Sequence, residues 1–167
     1  MEGDAVKKVE PADREVLITR LFDAPRELVF DAWTDPEILL KWHAPSGCSI
    51  QYRSIDVRKG GTFHSCIKIP NGEECWCRGV YLEVKRPERI IYTIALADES
   101  GKLKQPDAVG KDPDWPAETT VTVTFDDIDG KTRLTLRQNV SETVAKRTGA
   151  HPSWLSMLDR LESALKK

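Results

Sequence analysis

Hydrophobic and polar positions along this chain change period several times. From Glu15, EVLITRLFDA sets Val16, Ile18, Leu21 and Phe22 among polar residues, which predicts a strand ending at Ala24-Pro25. Pro25 suits the entry to a helix, and RELVFDAWT follows. There Leu28, Val29, Ala32 and Trp33 form one apolar helical face. Thr34 or Asp35 caps a second short helix, PEILLKW, with Pro36 in its first turn. Alternation then returns in IQYRSIDV (50–57), GTFHSCIKI (61–69), EECWCRGVYLEV (73–84), RIIYTIALA (89–97), TTVTVTFDDI (119–128) and TRLTLRQNV (132–140). The chain closes helically from Ser141 in two pieces, interrupted between Gly149 and Pro152. The second piece carries Trp154, Leu155, Leu158, Leu161 and Leu165 at helical spacing.

Strand, two helices, six antiparallel strands and a long last helix predict an α+β domain. A curved antiparallel sheet of about seven strands wraps the C-terminal helix, with two short helices after the first strand. This is the helix-grip, or START-like, architecture, and it leaves a hollow between sheet and helix. Residues 1–13 are polar and irregular, which predicts a disordered or loosely attached arm before a single domain over 14–167. Residues 98–118 are rich in Pro, Gly and Asp and read as a long loop, either a lid or a surface excursion.

Composition narrows the functions. The 167 residues carry a formal charge of −2 with no basic stripe, which argues against nucleic acid. Apolar runs are too short to span a membrane. The opening MEGDAVKKVEPADRE lacks the apolar core of a secretory signal, so a cytoplasmic location with reduced thiols is expected.

Four cysteines, Cys48, Cys66, Cys75 and Cys77, raise the question of a metal or a cross-link. The answer turns on Pro70-Asn71-Gly72. Pro favours the second position of a type I turn, Asn the third, and Gly the left-handed bulge position. A three-residue loop then sets Lys68 opposite Glu74 and places Phe63, Ser65, Ile67, Cys75, Cys77 and Tyr81 on one face. His64, Cys66, Lys68, Trp76 and Arg78 take the other face, toward water. The metal-ligating side chains are split across the sheet, so no metal site and no disulfide is expected. His64 likewise faces away from Ser65, and no Gly-x-Ser-x-Gly elbow occurs, so no catalytic residue is identified.

The runs ITRLFDAPRELVFDAWTDPEILLKWHAP, KGGTF (59–63), RGVYLEVKRPERIIYT and DWPAETTVTVTFDDIDGKTRLTLRQ, with the terminal SWLSMLDRLESAL, resemble the AHSA-like proteins. That family takes its name from the activator of the heat-shock-protein-90 ATPase and lies within the START-like (SRPBCC) superfamily. The resemblance spans residues 15–166. It implies the helix-grip fold and a small-molecule-binding role, with no cofactor. A chaperone-linked or stress-related interaction module, and a cyclase- or hydrolase-type enzyme using the same cavity, are the alternatives.

The expected ligand is an apolar or amphipathic small molecule between the sheet and the last helix. Its lining is expected from Trp42, Phe63, Ser65, Ile67, Cys75, Cys77, Tyr81, Thr93, Trp115, Trp154 and Leu158, with His43 or His151 as added polar groups. Strand 89–97 is left open, with Ile91 and Thr93 or Tyr92 and Ile94 inward. A monomer or a homodimer fits equally.

Overall fold

A computed structural model describes residues 11–166. The expectation for residues 1–10 lies outside this span. Seven strands, β1 (Val16–Phe22), β2 (Ser49–Ile55), β3 (Thr62–Lys68), β4 (Glu74–Lys85), β5 (Arg89–Ala97), β6 (Glu118–Ile128) and β7 (Lys131–Gln138), form one antiparallel sheet. Its order is β1-β7-β6-β5-β4-β3-β2, so all neighbours but β1–β7 are consecutive hairpins. Helices α1 (Arg26–Thr34) and α2 (Pro36–Trp42) connect β1 to β2, and α3 (Glu142–Thr148) and α4 (Ala150–Leu165) end the chain. This is the helix-grip fold.

Local chemistry starts and stops the helices. The Asp35 carboxylate accepts the Glu37 N–H at 3.0 Å at the head of α2. Gly149, at φ 91°, breaks α3 from α4. The helix resumes at once, so Pro152 and His151 lie in the first turn of α4 rather than in a loop. Asp13 sits in a 3₁₀ turn, Pro11–Arg14, and its Oδ1 accepts from Ser141 Oγ, Thr143 N and Thr143 Oγ1 at 2.8–3.0 Å. The chain is therefore tied to the head of α3 from Asp13 onward.

The core lies between the sheet and the helices. Val121, Val123, Phe125, Leu134 and Leu136 of β6 and β7 are sealed against Val29, Phe30 and Trp33 of α1 and Leu158 and Leu161 of α4. Each such aliphatic or aromatic side chain contributes about 1.5–3 kcal/mol on burial. Arg20 on β1 reaches Asp159 and Glu162 of α4 at 2.7 and 2.6 Å. Arg160 of α4 donates to the carbonyls of Ala44, Pro45 and Cys48. No described helix is long and apolar enough to cross a membrane.

Candidate functional site

The β3–β4 turn forms as its residues dictate. The Gly72 N–H donates to Ile69 O and the Ile69 N–H to Glu73 O, each at 2.9 Å, with Gly72 at φ 95°. Asn71 Oδ1 accepts the Glu73 N–H at 2.8 Å. Lys68 pairs with Glu74, Ser65 with Cys77 and Phe63 with Gly79. Phe63, Ser65, Cys77 and Tyr81 are accordingly buried. The Phe63 ring lies 5.7 Å from Tyr81 and 6.0 Å from Tyr92. A Cβ on Gly79 would collide with Thr93 O and the Phe63 ring, so glycine is required there.

β5 turns Ile90 and Tyr92 into the core. Thr93 takes the opposite face, pairs with Thr120, and its hydroxyl accepts the Val80 N–H at 3.1 Å. It therefore does not line the hollow. Tyr52 joins Tyr81 and Tyr92 from β2. Burial raises all three phenol pKa values, with repulsion from Tyr81 adding to Tyr52 and Tyr92. All three remain neutral donors.

A second group of rings comes from the helices. The Trp42 indole N–H donates to Ala32 O at 2.9 Å, which locks α2 onto α1. The Trp154 N–H donates to Gln138 Oε1, and the Gln138 amide donates to Thr119 Oγ1, both at 2.9 Å. The Trp33 ring lies 4.7 Å from Trp42, 5.5 Å from His43 and 6.3 Å from Trp154. Here the hydrogen bonding fails: Trp33 Nε1 and His43 Nδ1 are sealed and have no partner. An orphaned buried polar atom costs about 1–3 kcal/mol and calls for an explanation. An edge of His43 reaches the surface, but Nδ1 does not, and the ring is packed against Trp33, Trp42 and Trp154. Desolvation brings its pKa down to about 4, so the imidazole is neutral at pH 7.

The expected lining residues separate into groups. Trp42, Phe63, Tyr81, Trp154 and Leu158 belong to the buried core, and Trp115 packs on its edge. Ser65 and Cys77 are buried beside it, and Ile67 is half-buried. Cys75 opens into a separate cavity of about 160 Å³ with Leu96, Val109 and Lys111. On the inner face the Phe63, Tyr81 and Tyr92 rings pack within 6.0 Å of one another. A second hollow, about 960 Å³, is an open groove between α1, α2 and the end of α4, lined by Leu28, Ile38, Arg160 and Leu165 among others.

The other face of the hairpin is less open to water than its charges suggest. Cys66 is only 2% exposed, and His64 stacks near Trp76 and bonds Asp98 O at 3.1 Å. All four cysteines are free thiols. Among the described residues, no three His, Cys, Asp or Glu side chains converge as a metal site. Tyr52 and Gln138 were not singled out from sequence, and Gln138 carries no local signal. Tyr92 belonged to one of the two inward alternatives that the open register of β5 left.

Residues 23–166 match the model of a family described as activator of Hsp90 ATPase homolog 1-like protein. The chain belongs to this family. Solved structures agree on the fold of the Hsp90-activator-like domain. A protein from Staphylococcus epidermidis is 28% identical, with a TM-score of 0.75 over 95% of this chain and 93% of that one. One from Nitrosomonas europaea is 27% identical, TM-score 0.74, over 94% and 97%. An AHSA1 protein from Silicibacter pomeroyi is 21% identical, TM-score 0.71, over 91% and 97%. No curated protein matches the chain.

Proposed function

We propose that this Hsp90-activator-like domain binds a small apolar or amphipathic molecule at its inner face, between the helices and β3–β5. The observation that carries this reading is the pair of orphaned atoms, Trp33 Nε1 and His43 Nδ1, on rings 5.5 Å apart. A ligand with a polar atom facing the indole N–H, and a donor or acceptor for the imidazole, supplies what the protein omits. The tyrosine hydroxyls offer further donors, and the aromatic walls set the ligand's apolar body. The close packing of Phe63, Tyr81 and Tyr92 favours a compact ligand.

A cyclase or hydrolase reading has less support. Only desolvation acts on His43, without a carboxylate, and the His151–Glu142 pair, 4.0 Å apart, lies where α3 meets α4. A protein-interaction role, including a chaperone partner, draws on the open helical groove, where Leu28 is 53% exposed.

The test is native mass spectrometry of freshly expressed protein, followed by a metabolite-library thermal-shift screen. The expected result is a ligand that raises Tm and quenches tryptophan fluorescence, with the shift lost in Trp33→Phe and His43→Phe. A ligand whose shift survives both substitutions but is lost in Leu28→Asp moves binding to the groove and overturns the reading. A screen with no ligand overturns it as well.

A further inference from the structure

The 160 Å³ cavity shares no residue with the core cluster. It lies where β4 meets β5, closed by the 3₁₀ turn Pro106–Val109 and by Lys111. Cys75 and Cys77 occupy the same face of β4, two residues apart. Lys111 lines the same cavity as Cys75. Hydrogen bonding from Cys77 first, and then the charge of Lys111, hold the Cys75 pKa at about 6, below the ordinary thiol value. That bond and burial push Cys77 the other way, so it keeps its proton. The two thiols are thus divided into a nucleophile and a hydrogen-bond donor.

Three acids also line this cavity, and each is engaged elsewhere. Glu74 accepts from Trp76 Nε1 at 3.3 Å, and Glu99 pairs with Arg53 at 3.1 Å. Asp98 accepts the Ser100 and Lys102 N–H groups at 3.0 and 2.9 Å. Leu96, Ala97 and Val109 complete an apolar wall. Such a mouth disfavours anions. Its volume is well below the roughly 300–1,000 Å³ of drug-sized sites, so it admits a molecule of a few heavy atoms.

We propose that Cys75, Cys77 and Lys111 form a covalent capture site for small uncharged α,β-unsaturated carbonyl compounds. The Cys75 sulfur forms a C–S bond to the β-carbon. The C=C electron pair shifts toward the carbonyl, giving an enolate whose oxygen the Lys111 ammonium stabilises. A proton from water then adds to the α-carbon. Nothing leaves and no oxidant is consumed, and the product is a thioether on Cys75. The site is independent of the inner aromatic face.

The experiment uses the full chain and methyl vinyl ketone at equimolar dose near pH 7, with peptide mapping by mass spectrometry. Cys75 is expected to be alkylated first, about tenfold faster than the half-exposed Cys48. Cys77→Ala is expected to slow Cys75 about fivefold near pH 7 and to have no effect near pH 10, where the thiolate forms regardless. Lys111→Met is expected to slow Cys75 about fivefold near pH 7 and to keep a smaller deficit near pH 10, because the enolate has lost its ammonium partner as well. Alkylation of Cys48 or Cys66 ahead of Cys75 overturns the proposal. So does a Lys111→Met rate equal to the wild-type rate near pH 7.

Discussion

A histidine held neutral among three tryptophans costs the folded protein stability as soon as it takes a proton. The folded pKa of His43 is about 4, against 6.5 for the free side chain. The unfolded chain therefore binds the proton first. Stability from this group is fully present above about pH 6.5 and is lost as pH falls toward 4, by roughly 3 kcal/mol in all. Urea titrations at stepped pH are expected to show this slope in the wild type and a flatter one in His43→Phe. At neutral pH, His43→Phe removes an unsatisfied nitrogen at similar volume. It is expected to leave stability unchanged or raise it by about 1 kcal/mol while abolishing ligand binding. A loss of more than about 2 kcal/mol would assign His43 a structural role instead. In the sequence, His43 was visible as a polar group at a helix end. Its enclosure was not, because Trp33, Trp42 and Trp154 come from three separate helices.

At the scale of elements, the hairpin β3–β4 was legible because its turn is local. Pro70, Asn71 and Gly72 each occupy the backbone state their chemistry favours, and the register follows. Gly79 is different: its need arises from the Phe63 ring and from Thr93 O across the sheet. Gly79→Ala is expected to destabilise by more than about 3 kcal/mol in thermal or urea melts, since backbone must move to admit a methyl. Residues 98–118 read as one long irregular loop, yet the segment is built. Ala97 bridges Leu103, Asp98 gathers two amides, and Arg147 of α3 reaches Asp112 and Asp114 at 3.1 and 2.9 Å. Exposed ion pairs add little to global stability, so Arg147→Ala is expected to leave the melting midpoint in place. It is expected instead to speed amide exchange and proteolysis within 98–118, because it unties that segment locally. Unchanged exchange would show that Trp115 and the Pro106–Val109 turn hold the segment without Arg147.

Across the whole molecule, one buried relay joins helix to sheet. Trp154 on α4 donates to Gln138 on β7, which donates to Thr119 on β6. Gln138→Ala strands both partners in the core and is expected to cost about 2–4 kcal/mol. Combined with Trp154→Phe, the loss is expected to be less than additive in a double-mutant cycle, because the second change removes one stranded donor. Additive losses would mean that the relay does not act as a unit. Arg20 and Arg160 complete the attachment of α4 from β1 and from the segment before β2. The same fold is found in solved structures only 21–28% identical over more than nine-tenths of this chain, as expected when patterning rather than particular side chains specifies the fold.

The sequence by itself determined the order and type of the elements, the three-residue turn and the face on which Phe63, Ser65, Cys77 and Tyr81 lie. These depend on period, turn chemistry and the alternation of a strand, which act over a few residues. Tertiary structure decided the rest. It chose Tyr92 over Thr93 for the inner face, because the register of β5 is set by β4 and β6 rather than by its own residues. It packed the Phe63, Tyr81 and Tyr92 rings together on the inner face and left Trp33 Nε1 and His43 Nδ1 unpartnered. It also set Cys75 beside Lys111, 36 positions on by residue number. Packing volume, hydrogen-bond satisfaction and the pKa of a buried group depend on neighbours distant in the chain, and these meet only in the folded domain.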